Sequence, residues 1–254
     1  RAKKIAKYLD LLLVLFPFEK EYFTKYNLKT VFIGHPLTKD QNYNSRSFKS
    51  DKSLLSKSIK KIALLPGSRK SEIYKLLPIF IKSAQLLKKK HKNIKFYILT
   101  LEDYKEYILS AFDNKNLDVY ITDKVEEKYD IYTNVDFALC TSGTVTMEVA
   151  KASTPMLVVY KLNYLTWWIV KLMVKVNTAT IINIIIGKNV IPELFQNKVN
   201  SQNIYRIIDS YLKDDDLRNN QIKYLKKAIS KMSSNYKSPN FTAAEAICEL
   251  LDNK

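Results

Sequence analysis

Two short stretches bring together residue types that can handle an anion. The first is LLPGSRKSEI, residues 64–73. An apolar run breaks at Pro66-Gly67 and presents Ser68 and Arg69 where a helical pattern begins. Gly67 lets the backbone approach a ligand closely. A helix start supplies free N–H groups and a positive dipole end, and Arg69 can grip a phosphate through two parallel hydrogen bonds. A plain turn, capped by Ser71 with Glu72 complementing the dipole, accounts for Ser71 and Glu72. It does not account for Arg69, whose charge suits a positive helix end only if an anion is shared, so the anion site is the favoured reading.

The second stretch is TSGTVTME, residues 141–148. Ser142, Gly143 and Thr144 lie between another apolar run and another helical pattern, and a pyrophosphate would fit over their amides. Glu148, one turn further on, can accept from two neighbouring hydroxyls, as on a ribose. Helix capping by Thr144, with Glu148 merely close to the positive end, explains the same residues equally well. Neither stretch has the G-x-x-x-x-G-K-[ST] spacing of a Walker loop or a G-x-G-x-x-G turn. Two such turns in one domain suit a nucleoside diphosphate, and a nucleotide-sugar donor better than a lone phosphate.

The elements around these turns alternate. Apolar runs predict strands at 61–65, 94–99, 118–121, 136–140 and 156–160, with a short last strand at 180–182. Helical spacing predicts helices at 71–90, 102–111, 125–132, 144–151, 165–176, 201–212, 215–231 and 242–252. The strands are solid apolar runs, as in a parallel sheet covered on both faces. The fold class is therefore α/β, a doubly wound parallel sheet with right-handed crossovers, and its ligands belong at the carboxyl ends of the strands. Ahead of this unit, 10–16 and 29–33 read as extended, 18–26 as helical, and the polar stretch 38–57 as a linker.

Composition restricts the partners less sharply. The chain has 254 residues, 42 Lys+Arg against 25 Asp+Glu, and a net charge of +17. That balance points towards an anionic partner, but abundant Lys, Ile, Asn and Tyr with only 4 Gly and 7 Pro make compositional bias the main source of the charge. Cys140 and Cys248 have no metal or redox spacing and read as buried free thiols in a reducing compartment. His35 and His91 are too few and too isolated for a metal site. Residues 164–175, with Trp167, Trp168 and lysines at one end, suit either a helix in a lipid headgroup layer or a core helix. No signal peptide is visible, and the apolar stretches fall short of the about 20 residues that span a bilayer. The chain begins at Arg1, on what reads as a helix already under way, as a piece of something longer would.

Several segments, in order, resemble bacterial lipid-A-disaccharide synthase, a glycosyltransferase family of the GT-B type. They are KYLDLLLVLFPFE ending at Glu19, FIGHP at 32–36, the LLPGSR and SGTVTME turns, the run from Pro155 to Lys175, and NIIIGKNVIPELFQ at 183–196. The likeness covers nearly the whole chain. It implies transfer of a sugar from UDP-2,3-diacylglucosamine to 2,3-diacylglucosamine 1-phosphate, giving the lipid A disaccharide and UDP, with no metal and no cofactor. It implies that Gly67, Ser68 and Arg69 hold the diphosphate with the amides of Ser142, Gly143 and Thr144. Glu148 would take the ribose and Asn183 would lie near the nucleotide. Arg69 would also offset charge on the leaving UDP.

The implied organisation places 1–40 as the last elements of an N-terminal acceptor-side domain and 41–57 as a linker. The UDP-sugar-binding domain would occupy 58–235 and a C-terminal helix 236–254. The family's glycine-rich loop and acidic general base do not occur in this sequence. His35, with a reference pKa near neutral, is a candidate base in principle, and a structural contact before Pro36 is the favoured reading. Ile182 stands where the family usually has proline. The missing acceptor half would be supplied by a separate N-terminal chain or a homo-oligomer, be lost, or lie outside this sequence. The implied location is cytoplasmic, on the inner face of the inner membrane, to which anionic lipid would draw a basic protein. Three other readings remain: another UDP-GlcNAc-type GT-B enzyme, which should lack the FIGHP and NIIIG segments; an inactive donor-binding remnant; and a basic nucleic-acid-binding protein. The last finds no RNP-like, helix-turn-helix or zinc signature, and the lysines form no single stripe.

Overall fold

A computed structural model of the chain describes residues 2–40, 43, 52–161, 178–233 and 238–252. The stretch 164–175, and with it the choice between headgroup layer and core, lies outside the described residues, as does most of 41–51. Helix α1 (Ala2–Ile5) precedes a parallel pair of strands, β1 (Leu11–Val14) and β2 (Lys29–Phe32), joined through α2 (Lys20–Thr24).

The main sheet then forms from β3 (Lys60–Leu65), β4 (Ile94–Leu99), β5 (Val119–Thr122), β6 (Phe137–Thr141), β7 (Met156–Tyr160) and β8 (Glu193–Phe195). Its order is β5-β4-β3-β6-β7-β8, with every neighbouring pair parallel. Between the strands run α3 (Lys70–Lys90), α4 (Glu102–Phe112), α5 (Val125–Asn134), α6 (Val145–Lys151) and α7 (Ile181–Ile186). After β8 come α8 (Ser201–Lys213), α9 (Asp215–Met232) and α10 (Pro239–Asp252).

The period-2 geometry of each strand sends alternate side chains to opposite layers. Ile62, Leu64, Phe96, Ile98, Phe137, Leu139, Leu157 and Val159 join a core with α3, α4 and α8. Ala63, Leu65, Tyr97, Ala138, Cys140, Met156 and Val158 join a second core with α5, α6, α7 and α9. Both layers are apolar, so the strands read as continuous apolar runs. Pro78 sits inside α3 without ending it. The face Ile73, Leu76, Leu77, Phe80, Ile81, Ala84 and Leu87 stays buried along the helix, and that packing outweighs the lost backbone bond.

Three expectations need correction. Residues 180–182 are not the last strand. They enter α7, whose Ile182 and Ile185, three apart, are buried, and Gly187 at φ +73 ends the helix. A run of β-branched residues resembles a strand by propensity, but the burial available on the α9 side selects a helix. The sheet is completed instead by β8. Nor is the polar stretch before β3 only a linker. A 3₁₀ turn at Lys52–Leu55 plugs Leu54 into the second core, where it is fully buried. Cys248, expected to be buried, is exposed on α10, whereas Cys140 is buried in β6.

The N-terminal elements are tied to this body. The His35 amide donates to the Met232 carbonyl at 2.9 Å, and Lys151 Nζ donates to the Thr38 carbonyl at 2.9 Å. Helix α10 returns to pack on β1, with Glu249 3.7 Å from Lys29. The far edge of the sheet is held by Gln221 of α9. Its side chain accepts from the Met156 amide at 2.6 Å and donates to the carbonyls of Met156 at 3.2 Å and Val190 at 3.0 Å. It also meets the Tyr211 hydroxyl at 3.1 Å. Replacing it by leucine leaves buried backbone groups unpaired, so Gln221→Leu should lower stability by about 2–3 kcal/mol in urea denaturation.

Candidate functional site

Strands β3 and β6 are adjacent, yet their next connections leave in opposite directions: β3 leads to β4 on one side, β6 to β7 on the other. The crevice beyond their carboxyl ends is where a doubly wound sheet accommodates a ligand. Here it is a cleft of about 480 Å³. One wall carries Gly67, Ser68, Arg69 and Glu72, and the other carries Thr141, Ser142, Gly143, Thr144 and Glu148. The two turns singled out in the sequence thus face one space.

Four helices begin on this cleft. The residues at their N-caps, Arg69 of α3, Leu101 of α4, Lys124 of α5 and Thr144 of α6, all line it, and none makes a side-chain cap. The helices α8 and α9 are different. Asn200 accepts from the Asn203 amide and Asp214 from the Leu217 amide, each at 2.9 Å. Uncapped helix starts converging on one crevice make its potential positive and its amides available to an anion.

Gly67 has φ +107, and a Cβ there would stand 2.6 Å from Glu72 Oε2 and 3.3 Å from Thr141 Oγ1. The turn is therefore compressed between the start of α3 and the end of β6. A Cβ at Gly143 would meet nothing within 4 Å, so the second turn stands open. Its Ser142 amide donates to the Val159 carbonyl at 3.3 Å, and the expected trio of free amides reduces to those of Gly143 and Thr144.

The sequence argument for Arg69 also changes. Its guanidinium does have a protein partner, Glu72 Oε1 at 3.3 Å, although the Arg69 side chain remains 79% exposed. Arg69, not Ser71, occupies the N-cap position. Glu72 answers both the dipole and the guanidinium, and an incoming anion competes with it.

Glu148 receives a donor on each oxygen. Lys128 Nζ lies 2.9 Å from Oε1, and the Tyr132 hydroxyl lies 3.3 Å from Oε2. Burial alone would lower the Lys128 ammonium, but the hydrogen bond and charge of Glu148 outweigh it and hold its pKa above the ordinary value. Burial, followed by Glu148, pushes the Tyr132 phenol well up. Tyr43 is raised by the same two causes in the same order, and its hydroxyl has no hydrogen-bond partner among the described residues. Nothing in the sequence alone marked Lys128 or Tyr132, because Lys128 follows Glu126 and Glu127 and reads as a solvated face. The available signal was their i, i+4 spacing on a helix that starts at a strand's carboxyl end. Thr100, also on the cleft wall, has a buried hydroxyl without a partner among the described residues.

Two candidates are not brought to the cleft. His35 lies between the N-terminal strands and α9. Its Nδ1 accepts from the Leu37 amide at 3.2 Å and its ring stacks on Phe16 at 5.4 Å. Burial lowers its pKa. Asn183 is fully buried in α7. It donates to Thr178 Oγ1 and the Ile191 carbonyl and accepts from the amides of Val190 and Ile191, at 2.9–3.2 Å. All its polar capacity knots the loop before β8, and it is not on the cleft wall. Among the described residues, no group of three His, Cys, Asp or Glu is placed to hold a metal ion.

A sequence model described as lipid-A-disaccharide synthetase matches residues 1–247. The chain belongs to the lipid-A-disaccharide synthetase family. The lipid-A-disaccharide synthase of Rickettsia prowazekii (strain Madrid E) is 32% identical over 249 residues, covering 97% of this chain and 65% of the relative. That of Persephonella marina (strain DSM 14350 / EX-H1) is 33% identical over 240 residues, covering 90% and 63%. The chain thus spans about 65% of the length of the curated relatives it matches.

Solved structures similar in fold include a putative UDP-N-acetylglucosamine 2-epimerase from Listeria monocytogenes. Its TM-score is 0.62 at 9% identity, over 96% of this chain and 60% of that one. Acinetobacter baumannii MurG has a TM-score of 0.56 at 13% identity, over 99% and 62%. At such identities the likeness shows the fold alone, the α/β architecture of GT-B glycosyltransferases. Family membership rests on the sequence match over residues 1–247.

The tight turn at Gly67 yields a direct test. In Gly67→Ala, Glu72 can swing aside, but a Cβ in the left-handed region stays strained. The variant should lose about 1–3 kcal/mol, read as a shifted denaturant midpoint with an unchanged slope.

Proposed function

We propose that this chain supplies the donor side of lipid A disaccharide formation. Diacylglucosamine passes from its UDP conjugate to 2,3-diacylglucosamine 1-phosphate, and UDP leaves. The observation that carries this reading is the convergence of four uncapped helix starts and Arg69 on a cleft at the sheet's switch point, in a chain of this family. In this reading Ser68, Arg69 and the amides of Gly67, Gly143 and Thr144 hold the diphosphate, and Glu148 accepts from the ribose hydroxyls. As the bond to the sugar breaks, negative charge grows on the departing diphosphate. Arg69 exchanges Glu72 for it, a contact worth more in that state than in the ground state.

In this reading the acceptor and its deprotonation belong to elements outside these residues. The lipid substrates and the +17 charge support peripheral attachment to the cytoplasmic face of an anionic membrane. Among the described residues no helix is long and apolar enough to cross one.

Calorimetric titration of UDP is the direct test. Micromolar binding is expected, weakened by about 1–3 kcal/mol in Arg69→Ala and in Glu148→Ala, and weaker at high salt. Incubation with both lipid substrates then separates a chain that turns over from one that only binds. A folded wild-type chain that does not bind UDP would overturn the reading.

A further inference from the structure

Lys128 and Tyr132 are one helical turn apart on α5, so their side chains leave the same face. Both reach Glu148, on α6, and they take different oxygens of its carboxylate, Oε1 and Oε2. Tyr132 is 3% exposed and cannot move without disturbing the core. Lys128 is further held by its neighbour: its ammonium lies 4.8 Å from the centre of the Tyr129 ring, and that ring packs edge-on against Tyr43 at 4.9 Å. The carboxylate is therefore clamped at both oxygens from a rigid element. An ionised carboxylate has about four acceptor positions, so one on each oxygen remains beyond those taken by Lys128 and Tyr132. Two acceptors side by side on one planar group match the two hydroxyls of a vicinal diol.

We propose that Lys128 and Tyr132 are positioning residues: they set the Glu148 carboxylate in the orientation that reads the ribose diol of the donor nucleotide. This rests on the donor reading above. Without Lys128 the carboxylate has lost its strongest tether and can rotate towards solvent or towards the amides of its own helix start. The ligand would then bind through its diphosphate alone. A direct role of Lys128 on the phosphates would look different, because it would be felt equally whether or not the ribose hydroxyls are present.

The experiment compares UDP with 2′-deoxy-UDP by calorimetry on the full chain. The proteins are wild type, Lys128→Met, which keeps the stem, Lys128→Arg, which keeps the charge, and Tyr132→Phe, which removes one hydroxyl. Thermal melts check that each variant folds. Wild type should prefer UDP by about 10-fold or more, as expected for a hydrogen bond to a charged group. In Lys128→Met the preference should fall to about 3-fold or less, chiefly through weaker UDP binding. Tyr132→Phe should move the same way by less, and Lys128→Arg should restore the preference. A folded Lys128→Met that keeps the wild-type preference while both ligands weaken together overturns the proposal and leaves the donor reading intact. A wild type that binds UDP without preference overturns it too. A wild type that binds neither nucleotide removes the donor reading, and this proposal with it.

Discussion

The pairing of β3 with β6 joins segments about 75 residues apart, and the cleft exists only because of it. Its anchor is a reciprocal pair at the strand starts. The Lys61 amide donates to Asp136 Oδ2 at 2.7 Å, and the Asp136 amide donates back to the Lys61 carbonyl at 2.8 Å. The Lys61 side chain is buried, with its ammonium bonded to the carbonyls of Leu54 and Ser56. From this anchor the register runs Ile62 to Phe137 through Leu65 to Cys140. A slip of one residue would send every apolar side chain to the wrong layer. Held in register, the two strands end level, and the Gly67 turn and the Ser142–Thr144 turn open side by side.

Charge in the cleft is balanced by design of position, not by lack of cations. Arg69 pairs with Glu72, Lys124 with Glu127 at 3.6 Å, and Lys128 with Glu148. Asp123 is held below the usual carboxylate range, first by its hydrogen bond from Lys105. The protein's large positive charge is therefore not concentrated as free cations in the cleft. In the proposed reading, attraction for a diphosphate comes from the uncapped helix starts and from Arg69, whose side chain is largely exposed, so that its partner is exchanged at small cost. Polar side chains away from the cleft join helices. Asp209 accepts from His91 at 2.8 Å and Lys213 at 2.6 Å, fastening the end of α3 to α8.

The N-terminal segment reads differently once it is folded. Phe16 and Phe18 stack at 5.7 Å, His35 stacks on Phe16, and Phe16, Phe18 and Leu37 lie against the core beneath α6 and α9. The FPFE and FIGHP segments are thus the contact surface between the small sheet and the large domain. Their aromatic and histidine residues pack there, and Asn183 ties the loop before β8.

Much of this protein was legible in its sequence. Solid apolar runs alternating with amphipathic helices specify a parallel sheet covered on both faces, because only a doubly buried strand has no polar side. Glycine and hydroxyl residues at the strand-to-helix junctions mark the cleft, because a backbone that is to approach a ligand cannot carry bulk. What only the tertiary structure decided are the relations between distant segments. Glu72 answers Arg69, Lys128 and Tyr132 clamp Glu148, Asn183 turns inward, and a run of isoleucines becomes α7 while β8 closes the sheet. A side chain's partner depends on which elements share a layer, and a residue's conformation can follow the burial it gains. Neither quantity is local, so neither can be read from the neighbours in the chain.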